Sequence, residues 1–241
     1  TYIDPIDDNI ENVFDDVIGN VSTQPNFIEV VVKDELGNVF WPYFGLNSIG
    51  DLTIGKGYQV KMNFFNQLEI YGDVIPYNTP LILNSGWGLL GYLHQDPYNV
   101  EFLMESIVDE LNPFASNLII LKAGDGNVYW PTFSLNNIGN LNPGEGYQIK
   151  MNTSQVFSYP NISGQRNDNF NIQESIHFEK PMQTDQNMTI GIPYYAWQET
   201  PKIGDEIAAF DQNGNVIGIS IFNGNHLALT IWGDDVTTYH K

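Results

Sequence analysis

The sequence contains no cysteine, which excludes disulfide bonds, thiolate metal sites and thiol catalysis. Histidine is also scarce, and its four occurrences do not form the His-x-His or His-Glu-x-x-His spacing of a catalytic zinc site. A Gly-x-Ser-x-Gly nucleophile elbow and a phosphate-binding P-loop are missing as well. Composition leaves paired carboxylates open as catalysts, because 29 acidic residues produce close pairs by chance. We nevertheless expect a protein that is not an enzyme and needs no cofactor.

Basic residues are few: 9 Lys and Arg stand against 29 Asp and Glu, which gives a formal net charge of −20. Such a chain is repelled by nucleic acid and by anionic lipid, so neither is an expected partner. No apolar run approaches the roughly 20 residues of a membrane-spanning helix. A polar surface of Asn, Gln, Ser and Thr, with 22 glycines, favours an exported β-rich protein over a cytosolic enzyme. The start at Thr1 indicates a processed or excerpted chain.

A segment of the chain occurs twice. Residues 37–63 and 126–152 are identical at 18 of 27 positions, at a constant offset of 89 and without a gap. Duplication on this scale predicts two structural units with cores of the same shape. Active sites are usually single, whereas scaffolds and binding arrays are repeated, so the duplication favours a structural or binding role.

Apolar residues at helical spacing precede both copies. They predict one amphipathic helix of about three turns in each unit, over residues 10–18 and 100–111. Asp8 with Glu11 predicts a capping box for the first helix, and Asn99 is the predicted N-cap of the second.

Each copy also carries the pattern of a β-hairpin. A β-branched run at 27–32 or 118–121 leads through a Gly-Asn turn into an aromatic strand. The next strand, at 57–62 or 146–151, alternates Tyr, Val or Ile, and Met with Gln and Lys, as a half-buried strand does.

These patterns predict a mainly β (α+β) fold with four parts. Residues 1–85 and 86–160 form two homologous β-rich units, each with one short helix, which we call the first and second units. Residues 161–176 are polar and aperiodic, which is typical of a linker. Residues 177–241 form a small antiparallel β domain, the C-terminal unit, with tight Asn-Gly turns. Its predicted strands cover residues 177–178, 188–192, 206–210, 216–222 and 227–232.

The first unit lacks most of its first strand. The second helix is preceded by a strand-like run at 86–93, where the first unit has only three residues. Either the preceding residues were removed, or another chain fills the gap by strand pairing, since unpaired strand edges are costly. Candidate donors are residues 236–239 and the linker. The predicted assembly interface comprises Thr1, Tyr2 and Ile3 beside the slot, with Trp41 and Trp130 at packing contacts.

The motifs resemble a repeat module of large secreted and surface proteins of marine, Bacteroidetes-type bacteria. That module has a Gly-Trp-Asn-Leu-type strand, a short helix, a Gly-Asn-Val-Tyr-Trp-Pro hairpin and a Gly-x-Gly-Tyr-x-x-x-Met strand. The last unit looks like a module that often follows such repeats. The resemblance implies an exported, extracellular or cell-surface setting and brings no known catalytic mechanism. Matching positions are Gly86-Trp87, 126–131, 144–151, 37–42 and 55–62, with Gly88 departing from the Asn of the pattern.

Two functions follow as expectations. The first is a non-catalytic structural or adhesive protein that self-associates through strand edges into a surface array or filament. The alternative is a carbohydrate-binding region of a secreted polysaccharide-degrading or adhesion protein. For the alternative, the candidate sugar-stacking residues are Trp41, Tyr43, Tyr58 and Trp130, although a Trp at the same place in both units is more often a packing residue.

Calcium is the one small ligand that the sequence suggests. Asp211, Asn213 and Asn215 place side-chain oxygens at alternate positions around Gly214, as calcium loops do. The bidentate Glu of a helix-loop-helix site is missing, because Phe222 stands there. A plain hairpin turn explains the segment equally well.

Overall fold

The computed structural model consists mainly of short antiparallel strands, and its helices are short. This confirms the mainly β fold class that the sequence predicts. Thr1, the candidate donor segment 236–239 and most of the linker lie outside the described residues. The structure describes residues 2–18, 30–62, 65–164, 175–184 and 186–234.

The helices are shorter than the sequence predicts. The first unit has α1 (Ile10–Val13) and α2 (Asp15–Ile18), separated by Phe14, and the second has α3 (Val100–Met104). A 3₁₀ turn at Glu105–Ile107 follows α3 and keeps Ile107 buried. The prediction of single three-turn helices was therefore wrong. Within the described part of the chain, no helix is long and apolar enough to cross a membrane.

Asparagine caps begin both helical segments. Asn99 accepts the backbone N–H of Glu101 at 2.8 Å, which confirms the predicted cap. In the first unit the cap is Asn9, which accepts the N–H of Glu11 at 3.0 Å. The predicted capping box at Asp8 was wrong by one residue, because the cap must directly precede the first helical residue.

The first unit contains one four-stranded sheet of order β4-β3-β2-β5 and a separate pair, β1 with β6. Its strands are β1 (Ile3–Pro5), β2 (Val30–Lys33), β3 (Val39–Trp41), β4 (Leu46–Asn47), β5 (Gln59–Met62) and β6 (Gly72–Val74).

The second unit contains a five-stranded sheet of order β12-β11-β10-β14-β8. Two short pairs accompany it, β13 with β9 and β15 with β7. The strands are β7 (Leu81–Leu83), β8 (Gly86–Gly91), β9 (Tyr98–Asn99), β10 (Leu118–Lys122), β11 (Val128–Trp130), β12 (Leu135–Asn136), β13 (Asn140–Leu141), β14 (Gly146–Met151) and β15 (Gln155–Phe157).

The two sheets share their strand register. Lys33 pairs with Gln59 across β2 and β5, and Lys122 pairs with Gln148 across β10 and β14, at the sequence offset of 89. The two copies therefore place equivalent side chains on equivalent faces.

Each sheet packs one face on its own helix. The first core joins Ile10 and Phe14 to residues of β2 and β3, and the larger second core surrounds α3. Ile75, Leu81 and Leu83 precede the predicted boundary at 85/86 but are buried in the second core. The segment 75–83 thus ties the two units together.

The C-terminal unit consists of two antiparallel ribbons, β16 with β19 and β17 with β18. Its strands are β16 (Asn187–Ile192), β17 (Glu206–Phe210), β18 (Val216–Ile221) and β19 (Leu227–Trp232).

The predicted strand at 177–178 is a bend, because Glu206 binds its backbone. The Glu206 carboxylate accepts the N–H groups of Ile176 at 2.8 Å and His177 at 3.1 Å, and the hydroxyl of Ser175 at 2.7 Å. Desolvation raises the pKa of Glu206, but hydrogen bonds from Ile176, Ser175 and His177 outweigh it and lower the pKa to about 2. The carboxylate thereby anchors the segment that enters the C-terminal unit.

The C-terminal unit covers part of the outer face of the second sheet, the face away from α3. Ala228 of β19 is buried against Val128 and Leu135. Gly191 of β16 lies against the Trp130 ring so closely that a Cβ there would stand 3.2 Å from it. In the first sheet the equivalent face is open: Leu46 is 52% exposed, whereas its counterpart Leu135 is 3% exposed.

This difference predicts unequal effects for a matched pair of substitutions. Leu135→Ala should lower the free energy of unfolding by about 2–5 kcal/mol, because it leaves a cavity under the C-terminal unit. Leu46→Ala should lower it by less than about 1 kcal/mol, since the side chain is half in solvent. Chemical denaturation followed by tryptophan fluorescence measures both. Equal losses would contradict the assignment of the covered face.

The low pKa of Glu206 predicts a specific acid sensitivity. Because folding depresses this pKa, its contribution to stability is complete above the ordinary value of 4.5 and is lost as the pH falls toward 2. The melting temperature of Glu206→Gln should therefore fall less steeply over that range than that of the wild type. Glu179→Gln, an exposed change in the same segment, should retain the wild-type slope. Parallel curves for the wild type and Glu206→Gln would refute the anchoring role.

Candidate functional site

One edge of β5 differs from the matching edge of β14. In the second sheet, β14 lies between β10 and β8 and pairs with β8 from Gly146↔Gly91 to Met151↔Gly86. In the first sheet, β5 pairs with β2, and no other described strand pairs with it. The position that β8 fills in the second unit has no described strand in the first, as the sequence predicts.

An apolar groove of about 130 Å³ runs beside this edge of β5. Its lining includes Val60 of β5, Phe14 between the helical segments and Leu68. Val60 is 48% exposed, whereas its counterpart Ile149 is 2% exposed beneath β8. The groove is thus the space that a neighbouring strand covers in the second unit.

The predicted slot residues lie next to the groove but do not fill it. Ile3 lines the groove and belongs to β1, which pairs with β6. The carbonyl of Tyr2 accepts the N–H of Ile75 at 2.9 Å. In the second unit the corresponding part of the chain contributes Tyr92 and Leu93, both almost completely buried.

The outer edge of β8 is bound by the first unit. The N–H of Leu89 donates to Glu35 Oε2 at 3.0 Å, and the N–H of Gly91 donates to the Gly55 carbonyl at 2.8 Å. The N–H of Gly57 donates to the Leu89 carbonyl at 3.2 Å. A Cβ on Gly91 would stand 2.9 Å from the Lys56 carbonyl oxygen, so a glycine is needed for this approach.

Two charged residues at this junction were not predicted from the sequence. The Lys56 ammonium pairs with the Glu35 carboxylate that binds β8. At the offset of 89, Glu35 corresponds to Gly124 and Lys56 to Glu145. This charge difference between near-identical copies is the sequence signal from which the contact surface of the first unit could have been predicted.

The four candidate sugar-stacking residues do not share one surface. Trp130 lies under the C-terminal unit against Gly191. Trp41 lies on the equivalent face of the first sheet, and its ring centroid is 4.7 Å from that of Phe44. Tyr43 also contacts the Phe44 ring. Tyr58 packs against the first core on the opposite face, and its hydroxyl accepts the N–H of Thr53 at 2.8 Å. The fold therefore separates this set.

The candidate calcium loop forms a tight hairpin turn. Asp211 Oδ1 accepts the N–H groups of Asn213 and Asn215, both at 2.8 Å, and Oδ2 accepts from Asn215 Nδ2 at 2.8 Å. The hydrogen bonds from Asn215 lower the pKa of Asp211. Asp34 makes the same bonds to Asn38 in an Asp-x-x-Gly-Asn turn of the first unit. Among the residues that the structure describes, no cluster of three His, Asp or Glu side chains could hold a metal ion.

Comparisons of the chain with family models, with curated proteins and with solved structures gave no match.

Proposed function

We propose that this protein is a non-catalytic, extracellular structural or adhesive protein that assembles by strand complementation at β5 into a surface array or filament. The observation that carries the proposal is the contrast between β5, with one strand partner among the described residues, and β14, with two. An incoming strand would pair with the open edge of β5 and cover the groove beside Val60.

The complementing strand should resemble β8, because β8 occupies the equivalent position in the second unit. Leu90 of β8 pairs with Tyr147 and is 1% exposed, so the incoming strand needs a large apolar residue there. Trp87 pairs with Lys150 across β8 and β14, and its ring centroid lies 5.4 Å from the Lys150 ammonium. A Gly-Trp-Gly-Leu-Leu-Gly pattern therefore fits the chemistry of the slot.

The energetics of such pairing are favourable but opposed by charge. Each new backbone hydrogen bond contributes about 0.5–1.5 kcal/mol net, and burying one leucine-sized side chain contributes about 1.5–3 kcal/mol. Chains with a net charge of −20 repel one another. Assembly should therefore strengthen as added salt screens the repulsion.

A matched pair of variants tests assembly. In 0.5 M salt, negative-stain electron microscopy and sedimentation of the full chain should reveal filaments or arrays. Val60→Asp places a charge in the groove and should abolish them. Val156→Asp adds the same charge at a 65%-exposed position of β15 and should leave them intact. A wild-type chain that stays monomeric at high concentration, or equal assembly of the two variants, would contradict the proposal.

A peptide tests the site directly. A peptide carrying the sequence of residues 86–93, with terminal lysines for solubility, should bind the full chain and shorten the assemblies by occupying β5. A scrambled peptide of the same composition should do neither, and Val60→Asp should lose the binding. Equal binding of the two peptides would argue against a strand slot.

A further inference from the structure

A polar cleft of about 350 Å³ lies where the three units meet, within the usual size range of ligand sites. Its floor is the outer face of the second sheet. Trp87 of β8, Gln148 of β14 and Lys122 of β10 point to this one face, because Gln148 pairs with Leu89 on one side and Lys122 on the other. Three neighbouring strands thus give the cleft a rigid base.

The walls of the cleft come from the other two units. Glu35 and Gln59 of the first unit stand on one side, and Asn187 of the C-terminal unit stands on the other. Glu35 is held by Lys56 and by the N–H of Leu89. The cleft is therefore an open site that residues of all three units line.

The cleft combines an aromatic surface with unused hydrogen-bonding groups. Trp87 remains 53% exposed although the Lys150 ammonium lies near its ring. No hydrogen bond joins the side chain of Gln59 or Gln148 to another described residue, and each amide offers two donors and an acceptor. Lys122 is 7% exposed, and its ammonium donates to Asn187 Oδ1 at 2.6 Å, which joins the floor of the cleft to the wall.

We propose that this cleft binds a neutral saccharide, with a pyranose ring against Trp87 and its hydroxyls bonded to Gln59 and Gln148. The C–H face of a pyranose packs on an indole ring by dispersion, and hydroxyls match amides because both donate and accept. Acidic glycans are disfavoured by the net charge of −20, and two carboxylates, Asp34 and Glu35, line the cleft beside Lys122, the single cation among its described lining residues. This site differs from the aromatic set expected from sequence and does not depend on assembly.

Isothermal titration of the full chain with laminarihexaose, cellohexaose, mannohexaose and xylohexaose tests the site. At least one should bind, and an oligomer of alginate should not. Trp87→Ala should weaken binding by about tenfold or more, as loss of a central aromatic contact does. Trp41→Ala removes a tryptophan from the outer face of the first sheet, which does not line the cleft through this residue, and should change the affinity by less than about twofold.

Two further variants test the site independently if Trp87→Ala does not fold. Gln148→Ala and Gln59→Ala remove amides that no described contact uses, and each should weaken binding about threefold or more. Failure of all four neutral hexasaccharides to bind would overturn the proposal, as would binding that Trp41→Ala abolishes and Trp87→Ala preserves. Val60→Asp should bind saccharide normally, which separates this site from strand complementation.

Discussion

The need to satisfy backbone groups at strand edges governs this molecule. A strand with an open edge leaves N–H and C=O groups without partners, and proteins pair, cover or block such edges. On β8 both edges are satisfied: β14 pairs with one, and Glu35, Gly55 and Gly57 bind the other. β2 pairs with one edge of β5, and the apolar groove lies beside the other edge. The proposed assembly follows from this single imbalance between two copies of the same fold.

Sheet faces repeat the pattern seen at the edges. The second sheet buries one face on α3 and part of the other beneath the C-terminal unit, so Leu135 is enclosed while Leu46 is open. The same packing of three units also creates the cleft around Trp87. The junction between the units thus provides a candidate ligand site in addition to the open edge of β5.

Local patterns in the sequence predicted the hairpins, the Asn99 cap and the empty strand position, because these depend on neighbouring residues and on comparison between the copies. Features that depend on distant contacts were not predictable. Glu206 turned the expected strand at 177–178 into a bend by binding its N–H groups. Trp130 was foreseen as a packing residue, but its partner Gly191 is distant in sequence. Trp87 was seen only as part of a strand, since its cleft needs all three units.

Hydrogen–deuterium exchange of the monomeric chain, resolved for β5 and β14 by mass spectrometry, distinguishes an open β5 edge from one that is already paired. The two strands have near-identical sequences and the same register to their inner neighbours, so their amides differ mainly in the outer partner. The account predicts that β5 exchanges much faster than β14 and becomes protected when the peptide of residues 86–93 is added. Equal protection of β5 and β14 in the monomer would mean that the edge is already satisfied, and would contradict the account.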